Sequence, residues 1–190
     1  MTRTAAPRPA SVPARHPVRS GSRAACERIR RHLDHGAPWD ACDEFRDALR
    51  RDPGNAELLY CGALAHARVG AAARAYALLD AAQKASPARA LLPEILSLRG
   101  RLWKDRIAHA RTGSRERNAV IARARDEYAR ADALSGAAYP AVNTATLALL
   151  LGDRDDARAR ARAVLARIDA TAARAPLSFW DHATRGEALI

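Results

Sequence analysis

The sequence predicts an all-α solenoid, a row of antiparallel helical hairpins, and three observations lead to it. Hydrophobic residues make up 48% of the 190 positions but aromatic residues only 5%. The core must therefore be built largely from Ala and Leu, which suit closely packed helices. Runs of Val, Ile, Thr or aromatic residues with a period of two, the mark of a half-buried strand, are almost wholly missing. The third observation is an internal repeat, and it selects the architecture.

Ala41, Phe45, Ala48 and Pro53 recur as Ala75, Leu79, Ala82 and Pro87, every one displaced by the same interval of about 34 residues. Two alanines let a second helix approach its neighbours, the large residue between them fills the gap, and the proline stops the helix. His32 and His66 share the spacing and fall where such units place a flat ring between their two helices. These residues make the chain similar to tetratricopeptide repeat proteins, whose unit is a helix-turn-helix of about 34 residues. The resemblance implies an α-solenoid of about four hairpins plus a C-terminal half-repeat, and a binding role without catalysis.

The elements follow in order. Residues 1–21 carry four prolines and four arginines with no acidic residue, and are expected to be a disordered basic tail. The helical domain is expected over 22–190, in units of about 22–55, 56–89, 90–136 (elongated), 138–172 and 177–190 (partial). Within the first two, helices are expected near 22–35, 38–51, 55–69 and 72–85, with Asp52-Pro53-Gly54-Asn55 and Ser86-Pro87 as stops and turns. Pro93 suits the first turn of a helix reaching about Ala110. A polar turn is expected over Thr112–Asn118, then a second helix to about Leu134. Gly100 and Ala124 mark the small positions of this third unit. They lie 24 apart where an ordinary unit has 12, so each helix gains about 9 Å and the hairpin should project. Gly152-Asp153 joins a fourth pair, and Ser178-Phe179-Trp180 opens a helix inside a fifth unit that is expected to be completed by a missing segment or another chain.

A closer resemblance is carried by Gly100-Arg101-Leu102-Trp103-Lys104-Asp105-Arg106, by Tyr139 through Leu147, by Gly152-Asp153, and by Phe179 through Thr184 with Glu187. From about residue 55 onward the chain resembles the tetratricopeptide array of the TRAFs-binding domain family, found in apoptosis signal-regulating kinases and in bacterial proteins. That resemblance implies a regulatory protein-binding or sensor module. On physical grounds Asn143, Trp103 and Trp180 are expected to have structural roles: the amide bonding across to a neighbouring backbone, each indole filling a groove between units.

Charge and chemistry bound the function. The net charge is +11; four arginines of the tail and an excess of six cations over residues 99–130 supply nearly all of it. Arginine-rich helical surfaces are commonly solvated, and an anionic partner at the third hairpin is the sharper reading. The histidines form neither HExxH nor a zinc spacing, and no phosphate loop or GxSxG elbow is present, so neither an enzyme nor a cofactor is expected. A metal site of Cys26, His32 and Cys42 is disfavoured, and the three cysteines are read as small packing residues of a protein in the reducing cytoplasm. No stretch is apolar enough for a membrane helix. First helices of such arrays line the concave groove, and the repeat register places Arg30, Glu57, Tyr60, Leu64, Arg101, Lys104, Tyr139, Thr146 and Arg185 along it. The expected partner is a protein or peptide with acidic character, with a homo-oligomer or partner chain capping the last half-repeat. A small-ligand or nucleotide sensor is the alternative; nucleic acid is disfavoured for want of interleaved aromatics.

Overall fold

A computed structural model describes residues 20–189, and among these every regular element is helical. The helices are α1 (Ser20–Asp34), α2 (Pro38–Leu49), α3 (Ala56–Arg68), α4 (Ala72–Lys84), α5 (Leu92–Ile107), α6 (Arg115–Ser135), α7 (Ala138–Leu150), α8 (Arg154–Ala172) and α9 (Phe179–Ala188), with a 3-10 turn at Arg89–Leu91 before α5. Each helix packs on the next, and first helices also meet across units, α1 on α3, α3 on α5 and α7 on α9. The tail expected over 1–21 lies outside the described residues up to residue 19, while Ser20 and Gly21 already belong to α1.

The repeat is visible atom by atom in the turns. Gly36 and Gly70, one repeat apart, adopt φ of 71° and 77°, and Gly152 adopts 88°. Each follows a first helix and closes it the same way. The glycine N–H bonds three residues back (Gly36 to Leu33, Gly70 to Ala67, Gly152 to Leu149), and the next N–H bonds five back (Ala37 to His32, Ala71 to His66, Asp153 to Ala148). This paired closure needs a left-handed residue, which glycine adopts without a steric penalty. Asn55, Ser114, Asp153 and Ser178 cap the helices that follow them, each accepting a backbone N–H with its side chain. The Ser114 cap starts α6 at Arg115, so the latter part of the turn expected over Thr112–Asn118 is helical.

The second helices of the first three units bury one triplet of positions. Ala41, Phe45 and Ala48 of α2, Ala75, Leu79 and Ala82 of α4, and Ala124, Tyr128 and Ala131 of α6 are all buried. Two of the three large members meet a glycine: a Cβ on Gly62 would overlap the Phe45 ring, and one on Gly100 would lie 2.8 Å from Tyr128. The buried residues of α1 through α5 form one core, Ile121, Ala124, Tyr128 and Leu147 join α6 to α7, and Ala141, Val142, Val164, Ile168 and Ala188 join the last three helices. Helix α6 has 21 residues and α4 has 13, so that arm is about 12 Å longer. Helix α5, with 16 residues against the 13 of α3, gains only about 4.5 Å, and the extension expected equally of both helices falls mainly on α6.

His66 stands edge-on to Phe45 with ring centroids 6.0 Å apart, and its Nδ1 is 4.0 Å from the Cys42 sulfur. Cys26 and Cys61 are buried free thiols, and among the described residues no group of three His, Cys, Asp or Glu side chains is placed to hold a metal ion.

Two outcomes follow for stability. Gly62→Ala should cost about 1–3 kcal/mol because Phe45 has no room to yield, while Gly186→Ala, whose Cβ meets nothing within 4 Å, should gain about 0.5–1 kcal/mol of helix propensity. Urea unfolding of both variants checks the opposite signs. Burial and the Arg74 charge lower the His66 pKa from 6.5, so between that value and the lowered one the unfolded chain binds more protons and stability rises with pH. On acidification from pH about 7.5 to about 5.5 the wild type should therefore lose more stability than His66→Gln; equal losses would remove His66 as a contributor.

Candidate functional site: a groove along the first helices

The first helices α1 and α3, with the start of α5, enclose an open groove of about 460 Å³ lined by Arg30, Leu33, Asp34, Tyr60, Leu64, Arg68, Leu91 and Glu94. Its floor is apolar, from Leu33, Leu64 and Leu91. Its walls carry both charges. Arg30 pairs with Glu57 at 3.2 Å, and the Tyr60 hydroxyl donates to Glu94 Oε2 at 3.2 Å. Tyr60 itself is buried. Burial, and secondarily the Glu94 carboxylate, push its pKa up, which keeps it a donor.

The structure thus brings four of the sequence-predicted residues together, Arg30, Glu57, Tyr60 and Leu64. It adds Leu33, Asp34, Arg68, Leu91 and Glu94. Two of these had a readable signal, because Glu94 lies one repeat after Tyr60 and Arg68 lies one repeat after Asp34. Leu91 had none, since it sits in the 3-10 turn between units.

Further along, Lys104 Nζ donates to Asn143 Oδ1 at 2.6 Å, joining α5 to α7, while Asn143 Nδ2 donates to the Tyr139 carbonyl of its own helix at 2.9 Å. The amide was expected to reach a neighbouring backbone; its bond across is to a lysine side chain, because the long Lys104 stem spans the gap between first helices. Tyr139 is half exposed and its hydroxyl lies 3.3 Å from that of Tyr128. Thr146 donates to Glu187 Oε1 at 3.0 Å, bridging α7 to α9. Arg185 instead pairs with Asp169 of α8 at 3.2 Å. Arg101 makes no ion pair among the described residues, and neither do Arg106, Arg111, Arg115, Arg117 and Arg123 of the same hairpin.

The two indoles differ. Trp103 fills a space between units as expected, its ring 5.6 Å from that of Tyr76 in α4. Trp180, expected to do the same, is 75% exposed. It stands in the first turn of α9, where its ring meets Phe179 edge-on at 5.3 Å rather than a neighbouring unit.

Stacked helix pairs, a 34-residue repeat between the first two units, glycine-closed turns and a groove along the first helices define a tetratricopeptide α-solenoid, a class of protein-interaction scaffold. The family model for Tetratricopeptide Repeats-Sensor matches residues 39–148, more than half of the chain, and the chain belongs to that family. Among solved structures, a crystal structure of MamA is 16% identical over 80% of either chain with a TM-score of 0.63. TTC0263, a thermophilic TPR protein in Thermus thermophilus, is 18% identical over 88% of this chain and 98% of its own, with a TM-score of 0.60. These likenesses show the fold. No curated protein matches in sequence.

Lys104→Ala would leave the buried Asn143 oxygen without its partner, and the cost should be about 1–3 kcal/mol in urea unfolding. A loss below a few tenths would mean that the bond contributes nothing net.

Proposed function

We propose that the groove along α1, α3 and α5 captures an extended segment of a protein partner and that the chain acts as a regulatory scaffold, with no chemistry of its own. The observation that carries this reading is the apolar floor of Leu33, Leu64 and Leu91 between walls of both charges, which suits a peptide with apolar anchors and flanking polar groups. Arg101, without an ion-pair partner among the described residues and on the same helical face as Glu94, extends the line of recognition and favours acidic residues in the segment that passes it. The resemblance to TRAFs-binding arrays supports a regulatory setting. Three free thiols accord with a cytoplasmic one, and no described helix is long and apolar enough to cross a membrane. Phe179, Trp180 and Leu189, all exposed on or beside α9, support a second contact in which a partner chain covers the last half-repeat.

Selection of a random peptide library on the immobilised protein tests the groove. Enriched peptides should share apolar anchors. Leu64→Asp and Arg101→Glu should each weaken their binding by about tenfold or more, with helical content by circular dichroism unchanged. Trp180→Ala should leave it intact. Peptides indifferent to both groove substitutions would overturn the assignment.

A further inference from the structure

A second cleft, of about 490 Å³, lies between α4, α5 and α6 and shares no residue with the groove. At about 100° per residue, Arg99, Trp103 and Arg106 occupy the side of α5 opposite Glu94 and Arg101. The cleft is lined by Tyr76 and Asp80 of α4, by Arg99 and Trp103 of α5, and by residues of α6 that include Arg123 and Glu127.

Three features set it apart from a solvated surface. First, two buried polar atoms, Tyr76 Oη and Arg99 Nε, have no hydrogen-bond partner among the described residues. Burial pushes the Tyr76 pKa up to about 12, against the pull of Arg106 and Arg99, so its hydroxyl is a donor at neutral pH. Both atoms belong to side chains that line the cleft, one from α4 and one from α5. Second, the cleft's carboxylates are already engaged: the Arg99 guanidinium pairs with Asp80 and Glu127, Glu127 also pairs with Arg130 at 3.2 Å, and Asp126 meets Arg125 at 3.3 Å. Arg123 of the cleft and Arg106, which does not line it but stands over Trp103, hold their guanidinium carbons 5.0 Å and 4.6 Å from the centre of the Trp103 ring and form no ion pair among the described residues. An indole attracts a guanidinium without neutralising it, so both charges stay available to an anion. Third, the Trp103 and Tyr76 rings and the two guanidinium planes offer flat surfaces for stacking.

We infer that this cleft binds a small molecule joining a planar ring to an anionic group, the ring stacking on the Tyr76, Trp103 and arginine planes and the anion held by Arg106 and Arg123. The volume is in the range of small-ligand sites. The ligand chemistry is common to nucleotides and to aromatic carboxylates, and the test separates the two sources.

Trp39 and Trp180 are the other two tryptophans and are 70% and 75% exposed, so Trp39→Phe with Trp180→Phe leaves Trp103 as the sole indole reporter. This background is titrated with adenosine monophosphate, salicylate and inorganic phosphate, with free N-acetyltryptophanamide as the optical control, and calorimetry on the unaltered full chain repeats each titration. At least one ring-bearing anion should shift Trp103 emission saturably and bind about tenfold or more tightly than phosphate; which one binds names the source. Arg106→Gln with Arg123→Gln should weaken it by about tenfold or more, and Tyr76→Phe severalfold, with circular dichroism unchanged. No saturable binding of either ring-bearing anion at millimolar concentration overturns the inference. So does phosphate binding equally well, or binding indifferent to the paired arginine substitution.

Discussion

The array depends on how closely one helix can approach the next. Phe45 and Tyr128 lie against Gly62 and Gly100 at distances that no Cβ could share, and the flanking Ala41, Ala48, Ala124 and Ala131 keep the rest of each seam equally thin. A ring pressed on bare backbone buries a large apolar face while bringing two helix axes close together. The stacking of units, and the alignment of α1, α3 and α5 along one groove, follow from that approach. The core is built from alanine, leucine and isoleucine with few aromatic residues, and Phe45 and Tyr128 each have a seat against a glycine.

Much of this was legible because it is periodic. The alanines and the large residue between them state the second-helix register directly, and Gly152-Asp153 marks a turn that the structure closes with a left-handed glycine. The groove was half legible: Arg30, Glu57, Tyr60 and Leu64 follow from the same period. What stayed hidden depends on how units sit on one another. The Lys104–Asn143 bond joins positions 39 residues apart and could be seen only once α5 and α7 were placed side by side. Trp180 shows the converse. Its type suggested a seat between units, but a position in the first turn of a helix places it beyond the neighbour that would supply one.

The charged surface divides along the same lines. In the first hairpin and at its seam with the second, arginines meet carboxylates of other helices, as in Arg28 with Glu44 and Arg30 with Glu57, so charge there helps to tie units together. Such exposed pairs contribute little each, at most about 1 kcal/mol. In the third hairpin six arginines have no carboxylate partner among the described residues, and two of them rest on an indole instead. Their charge is directed at whatever approaches the protein rather than at the fold.

The lengthened third hairpin shows how such a fold can acquire novelty. Residues added at the tip of an antiparallel pair, here mainly at the start of α6 and in the turn before it, leave the seams to α4 and α7 in place. Length at a hairpin tip is therefore a nearly independent variable of the architecture. A lineage of such proteins could extend or trim one pair of arms, and so gain or lose a surface, while every other unit kept its inherited packing.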